Sequence, residues 1–321
     1  MTTEDQGMLS TAELKRVAEL GFVQRLCESL ERTKKLAIIY HGNCLDGFTA
    51  YWAAHRWAVL RALEDSYLYI DGIAGTYQEE PDYSALRGRT ILFVDFSYKY
   101  DVLRKMVEQG VESIFLLDHH KSAYEDVRTA LRENLLPEHK VLPLFDMDRS
   151  GAGLTWDVLM GGERPRLIDL IEDRDLWRFQ YADTKAVNAA LFSYDYSLST
   201  WERLMHGSPA VDALAEVGEA LQRKLEKDVA ELARVQLQWL RIGGFMVPAV
   251  NVPYTHASEM GHLLLRQHPL ADFAATYYDK HNQRVFSLRS ADGRTDVQAV
   301  AVGYGGGGHR NARVAAARSG R

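Results

Sequence analysis

Short apolar runs alternate with mixed, helix-forming stretches through the first half of the chain. The runs are "LAIIY" (36–40), "YLYIDGI" (67–73), "TILFVDF" (90–96) and "SIFLLD" (113–118). Each is too short for a stable helix and rich in β-branched or aromatic residues, so each predicts a buried strand. Between them, "FTAYWAAHRWAVLRAL" and "YDVLRKMVEQG" carry apolar residues at helical spacing. Strands alternating with helices predict a parallel α/β sheet, whose ligands bind outside the carboxyl ends of the strands. Ahead of the first strand, "TAELKRVAELGFVQRLCESLERTKK" (11–35) predicts an amphipathic helix pair broken near Gly21.

From about residue 205 the texture changes. "SPAVDALAEVGEALQRKLEKDVAELARVQLQWLRI" predicts one long charged amphipathic helix, a solvated connector or packing helix. Strand-like segments follow at 245–253, 272–279 and 284–290, then a glycine run leading into "GGGGHRNA" (305–312). The expected division is a first domain over 1–200, a helical connector over 201–241 and a smaller α/β domain over 242–321. A length of 321 residues and 46% hydrophobic content can build two such cores.

Charge and cysteine usage narrow the function. The net charge is −6 and the pI about 6.0. Proteins that grip long nucleic acid use a basic face to neutralise phosphates, so a nucleic-acid substrate here is expected to be short and no long duplex is expected to bind. Cys27 and Cys44 cannot form a disulfide framework. "MTTEDQGMLS" has no apolar leader core, and no apolar run approaches a membrane span. The expectation is a cytoplasmic protein without a membrane partner.

Polar residues gather where the strands end. "HGNCLDG" (41–47) follows the first strand, Asp95 closes the third, and Asp118-His119-His120 closes the fourth. Asp173 and Asp175 follow the apolar "RLIDLI". A single Asp at a strand end is ordinarily a helix cap or turn residue. Repeated along one sheet edge, carboxylates and imidazoles are the donors that divalent cations take, which predicts a metal site. Further on, a glycine loop lets backbone N–H groups approach an anion, so Gly307 and Gly308 with His309 and Arg310 form a candidate phosphate grip beside Arg289. Ser150, in "DMDRSGAGLTW", either offers a helix N-terminus to phosphate or caps a turn. Lys121 either neutralises a second phosphate or is an exposed lysine. Trp52, Trp57, Trp156 and Trp177 can stack bases, but most lie in helical segments whose pattern favours core packing.

The series "HGNCLDG", "VDF", "LDHHK", "IEDRD" and "SLRS…GGGGHRNA" resembles the DHH phosphoesterase superfamily with its DHH-associated C-terminal domain. RecJ-type exonucleases and nanoRNases belong there. The resemblance implies a two-metal phosphodiesterase, usually manganese-dependent and with magnesium possible, whose active site lies between two domains. Carried over by motif, Asp95 bridges two cations. Asp46, His119 and one acid of "EDRD" complete one site, with Asp173 preferred over Asp175 on its I-x-D spacing, and His41 serves the other. Asp118 and His120 orient ligands or touch phosphate, and His120 is a candidate proton donor to the leaving group. Arg289, His309, Arg310 and Asn311 grip the phosphate and base end of the substrate.

Two positions depart from the family pattern. Cys44 stands where many members carry an acid, and its thiolate as a ligand would shift preference toward softer metals; otherwise it is a small buried residue beside a weaker site. Arg313 follows the glycine loop where "AAG" is common. Substrates in view are short oligonucleotides or small nucleotide phosphoesters. The alternatives are a cyclic or linear dinucleotide, phosphoadenosine phosphate, polyphosphate, or a nucleotide-binding sensor whose catalysis was lost at Cys44. A homodimer stays open.

Overall fold

The computed structural model describes residues 10–65, 68–76, 79–207, 209–280, 283–291, 293–304, 307–309 and 312–318. The chain forms two compact units. The first runs to His119 and adds Ala123–Thr184 and Phe192–Val211; the second holds His120–Ser122, Lys185–Leu191 and everything from Asp212 onward.

The first unit opens with α1 (Thr11–Thr33), started by a capping box between Ser10 and Glu13. This is one helix, not the expected pair. A glycine in a helix interior costs about 1 kcal/mol, whereas Phe22, Leu26 and Leu30 are buried along one face of α1, each contributing about 1.5–3 kcal/mol. Burial therefore carries the helix through Gly21.

The elements β1 (Lys35–His41), α2 (Leu45–Asp65), β2 (Tyr69–Gly75), α3 (Tyr83–Leu86) and β3 (Thr90–Val94) follow. Then come α4 (Tyr100–Glu108), β4 (Ser113–Asp118), α5 (Lys121–Arg132) and β5 (Val141–Phe145). The five strands pair in the order β2-β1-β3-β4-β5, all parallel. The chain moves outward from β1 to β2, then crosses β1 to continue in the other direction. That reversal opens a crevice at the carboxyl ends of β1 and β3, the switch point where α/β sheets bind ligands. Ile91, Phe93, Ile114 and Leu116 fill the core beneath it. Four helices complete the succession, α6 (Gly151–Thr155), α7 (Arg166–Asp175), α8 (Thr184–Leu191) and α9 (Leu198–Met205).

In the second unit α10 (Val211–Gln236) leads into β6 (Gln238–Ile242), β7 (Phe245–Asn251), α11 (Ala257–Gln267), β8 (Ala274–Lys280) and β9 (Gln283–Arg289). The chain continues through α12 (Val297–Val302), β10 (Gly307–His309) and β11 (Ala312–Arg318). The sheet order is β10-β11-β9-β8-β7-β6, and only β7 and β8 run parallel. Val229 and Ala233 of α10 pack with Val250, Met260 and Leu264, so the C-terminal part of this helix belongs to a core. At Gly218 a Cβ would overlap the carbonyl oxygen of Ala186, which sets how closely α10 approaches α8.

The glycine run also differs from expectation. Gly307, Gly308 and His309 are not loop but strand, paired with Val314, Arg313 and Ala312. After pairing with β9 the β11 strand takes up Gly307–His309 along its other edge.

Candidate metal centre

The end of β1 turns sharply into α2. Asn43 takes a left-handed φ of 55°, and Asp46 falls in the first turn of the helix. Its carboxylate then reaches across the unit, accepting hydrogen bonds from the N–H of Gly151 (2.6 Å) and of Ala152 (3.1 Å) at the start of α6. Asp95, just past β3, has a φ of 55°. This is a strained region for L-residues that Asp enters more readily than most. Its N–H donates to the Leu117 carbonyl (2.9 Å), which continues the sheet pairing by one residue.

Imidazoles and further carboxylates converge on these two acids. His119 Nε2 lies 3.0 Å from Asp95 Oδ1, 3.5 Å from Asp175 Oδ2 and 4.0 Å from Asp46 Oδ2. His41 Nδ1 is 3.6 Å from Asp95 Oδ2. Asp118 Oδ1 accepts from the His119 N–H at 2.7 Å, which fixes the turn at the end of β4. Three overlapping sets result: His41, Cys44 and Asp95; Asp46, His119 and Asp175; and Asp95, Asp118, His119 and His120. Within each set the donor atoms lie within 4.8 Å of one another. Two glycines leave the room. A Cβ at Gly151 would overlap Asp95, and one at Gly47 would meet His41 and Asp95.

The electrostatics match the crowding. Burial, followed by the charges of Asp95 and Asp175, pushes the Asp46 carboxyl well above its usual range. Burial opposes charge on His119, yet the hydrogen bond to Asp95 and the surrounding carboxylates outweigh it and hold its pKa well up. His41 is raised in the same way. Burial and then the charges of Asp95, Asp175 and Asp46 push the Cys44 thiol well up. A buried cluster of acids that draws in protons is one that a cation can neutralise instead.

The acids of "EDRD" take separate directions. Glu172 accepts from Arg164 (3.0 Å) and from the Ser150 N–H (2.9 Å). Asp173 accepts from the N–H of Gln180 (2.8 Å), the N–H of Tyr181 (3.2 Å) and the Thr184 hydroxyl. Asp175 joins His119 and Asp46. The geometry favours Asp175 over the expected Asp173: the Asp173 carboxylate organises the turn after α7, and Asp175 is the acid grouped with Asp46 and His119. Along a helix, residues two apart point about 200° apart, so only one of the two can face the crevice.

Ser150 caps α6, its Oγ accepting from the Gly153 N–H at 3.2 Å. It is fully buried, and the helix N-terminus expected for a substrate phosphate is taken by Asp46. An ion-pair network secures this turn. Arg149 donates to Glu19 (2.6 Å), Asp146 (2.7 Å) and Asp157 (3.1 Å), and Arg164 donates to Asp157 (2.6 Å). Lys121 is exposed at the start of α5.

In the second unit Arg289 donates to Ser258 Oγ at 2.8 Å, its stem lying against Gly261. The strand at Gly307–His309 is described in backbone only, and Arg310 and Asn311 lie outside the described residues. Of the tryptophans, Trp52 and Trp156 stack on one another in the core and Trp57 is also buried. Trp177, left-handed at φ 57°, is exposed. Sequence reasoning missed the space-making glycines and Glu172, whose only signal was proximity to the acid motif.

The chain has the fold of a DHH domain. A solved DHH domain, described as a member of the s1p family of ribosomal proteins, superposes with a TM-score of 0.61 at 12% identity, over 97% of this chain and 90% of that one. RecJ from Thermus thermophilus, solved in complex with Mn2+, aligns with a TM-score of 0.48 at 17% identity, over 98% of this chain and 53% of that one. In sequence, an uncharacterized protein of Acanthamoeba polyphaga mimivirus is 27% identical over 290 residues, 86% of this chain. The chain spans 66% of the length of that curated relative. No protein-family model matches the sequence. Among the described residues, no helix is long and apolar enough to cross a membrane.

Proposed function

We propose that this protein is a metal-dependent phosphodiesterase that hydrolyses short oligonucleotides or small nucleotide phosphoesters in the cytoplasm, using two divalent cations, manganese first and magnesium second. The observation that carries this reading is the position of Asp95, grouped with His41 and Cys44 on one side and 3.0 Å from His119, itself grouped with Asp46 and Asp175, on the other. A carboxylate in that position can be shared by two cations. Asp46, Asp95, His119 and Asp175 would hold one, and His41 with Asp95 and Cys44 the other. Carboxylate oxygens and imidazole nitrogens suit manganese or magnesium, and the left-handed backbone at Asp95 with glycines beside it gives a cradle a cation fits.

When bound, the cations supply an activated water and neutralise charge developing on the phosphoryl oxygens. The chain's own groups do the rest. Asp95 and Asp175 orient the His119 ring. Asp118 holds the turn that places His119 and His120, and the buried His120 is the proposed proton donor to the leaving oxygen. In the second unit Arg289, with His309, Arg310, Asn311, Gly307 and Gly308, is the proposed grip on the phosphate and base of the substrate.

The test is hydrolysis of labelled dinucleotides, longer RNA and DNA, phosphoadenosine phosphate and polyphosphate by purified protein, with metal content measured in parallel. Turnover of short nucleotides that EDTA abolishes and manganese restores is expected. No turnover under any divalent cation, together with tight nucleotide binding, would overturn the enzyme reading in favour of a sensor.

A further inference from the structure

The second sheet ends in an open edge. Among the described residues β6 pairs with β7 alone and closes the strand order. Sheet edges left open in this way are usually blunted by prolines, bulges or lysines. β6, "QWLRI", has none of these. It carries Trp239, 50% exposed, and a single charge, Arg241.

The hairpin fixes which backbone groups reach the edge. Ile242 pairs with Phe245 across Gly243 and Gly244, both at positive φ (58° and 90°). In a two-residue hairpin the flanking pair exchanges both hydrogen bonds, and bonded and non-bonded pairs alternate from there. Gln238, Leu240 and Ile242 therefore direct their N–H and C=O groups to β7, while Trp239 and Arg241 direct theirs outward. Side chains alternate likewise. Leu240 and Ile242 pack into the core with Val247 and Phe273, which leaves Trp239 and Arg241 together on the opposite face, near Met246 at 48% exposure, with the Trp239 ring edge-on to His268 at 5.3 Å and its other side exposed.

We infer that β6 is an interface for a second copy of this chain, joined edge to edge in antiparallel fashion about a two-fold axis through Leu240. Only that register overlaps all of Gln238–Ile242. It brings Trp239 of each copy opposite Arg241 of the other, so that the two outward-facing residues exchange both backbone hydrogen bonds. On the face opposite the Leu240–Ile242 core each guanidinium meets the exposed side of an indole, a cross-strand cation–π pair made twice by symmetry. Centring the pairing on Arg241 would set two guanidinium groups against each other, and centring it on Trp239 would overlap only Gln238–Leu240. The lone charge thus deters apolar strands in general and selects this one. The inference stands apart from the phosphodiesterase reading, since it uses no residue of the metal centre.

The test is sedimentation equilibrium of the full chain at micromolar concentration. A dimer is expected, and a monomer overturns the proposal. Arg241→Pro removes an N–H that points outward and no bond to β7, so the dimer dissociation constant should rise about tenfold or more. Trp239→Lys should weaken it as well by opposing two cations, and Trp239→Lys combined with Arg241→Glu should restore it. A dimer unchanged by Arg241→Pro places the contact elsewhere and overturns the inference. The register has its own readout that does not depend on these variants. At the axis, opposed non-bonded residues sit about 4.5 Å apart at Cα, within disulfide range. Leu240→Cys should cross-link two chains on mild oxidation, where wild type with Cys27 and Cys44 does not; absence of the cross-link excludes this register. Melting temperatures of all variants are followed alongside.

Discussion

Asp173 and Asp175, two residues apart at the end of α7, serve opposite ends: the first binds Gln180, Tyr181 and Thr184 of its own chain turn, the second lies 3.5 Å from His119 in the donor cluster. One acid builds the scaffold and the other completes the site. Separating them by mutation gives opposed signatures. Asp175→Asn should leave the melting temperature near that of wild type and reduce metal-dependent hydrolysis on the order of 10²–10³-fold, the range for losing one group that stabilises developing charge. Asp173→Ala should strand several donors and destabilise by about 3 kcal/mol. Thermal melts read beside initial rates separate the two; a stable, inactive Asp173→Ala would return the ligand role to Asp173.

Room for the centre depends on Gly151. A methyl group there overlaps Asp95. Gly151→Ala should displace that carboxylate, lower metal affinity and cost about 1–3 kcal/mol of stability through overpacking. Calorimetric titration with manganese measures the first effect and urea unfolding the second. Unchanged affinity would show that the Asp95 position has slack.

Cys44 is grouped with His41 and Asp95, yet sulfur favours softer ions than manganese. Cys44→Ser should therefore change manganese-supported hydrolysis by only a few-fold and leave the order of metal preference intact. Rates compared across manganese, magnesium, zinc and iron decide the matter. A switch in that order would make the thiol a ligand.

The network that secures the Ser150 turn predicts an acid response. Asp157 is half-buried, which alone would raise it, but the hydrogen bond from Arg164 holds its carboxyl below the usual range; Asp146 is lowered likewise by Lys15 and Arg149. A carboxyl depressed in the folded state is more readily protonated in the unfolded chain. Its contribution is then complete above the unfolded value of about 3.9 and disappears as pH falls through the folded one. Asp157→Asn should lower stability at neutral pH and flatten the loss of stability below about pH 4. Urea unfolding of both proteins at neutral and acid pH checks this, the other titrating groups being common to the pair.

Much of this architecture can be read from the chain. The runs at 36–40, 90–96 and 113–118 become β1, β3 and β4 because nothing but burial in a parallel sheet suits them. β5 escapes notice because "VLPLF" places Pro143 inside five residues, and β6 because "QWLRI" is half polar and follows a helix without a break. Both are edge strands, where the pattern of burial is weakest. His41, Asp46, Asp95 and His119 are legible for a related reason: strand ends fix where they point. Asp173 and Asp175 are not, since a helix terminus can be rotated by one residue without disturbing the apolar spacing around it. The turn that captures Asp173 is written in Gln180 and Thr184, residues with no visible signal of their own.

Asp46 accepts from Gly151, 105 positions further along the chain. The centre also needs Asp175, the last residue of α7. During synthesis the nascent chain exposes Asp46, then Asp95, then His119, long before the segment that draws them together leaves the ribosome. Loop closure over such a separation comes late in folding. A cluster assembled this late would report that the first unit has closed, and a truncated or stalled chain would carry the acids without the pocket they form.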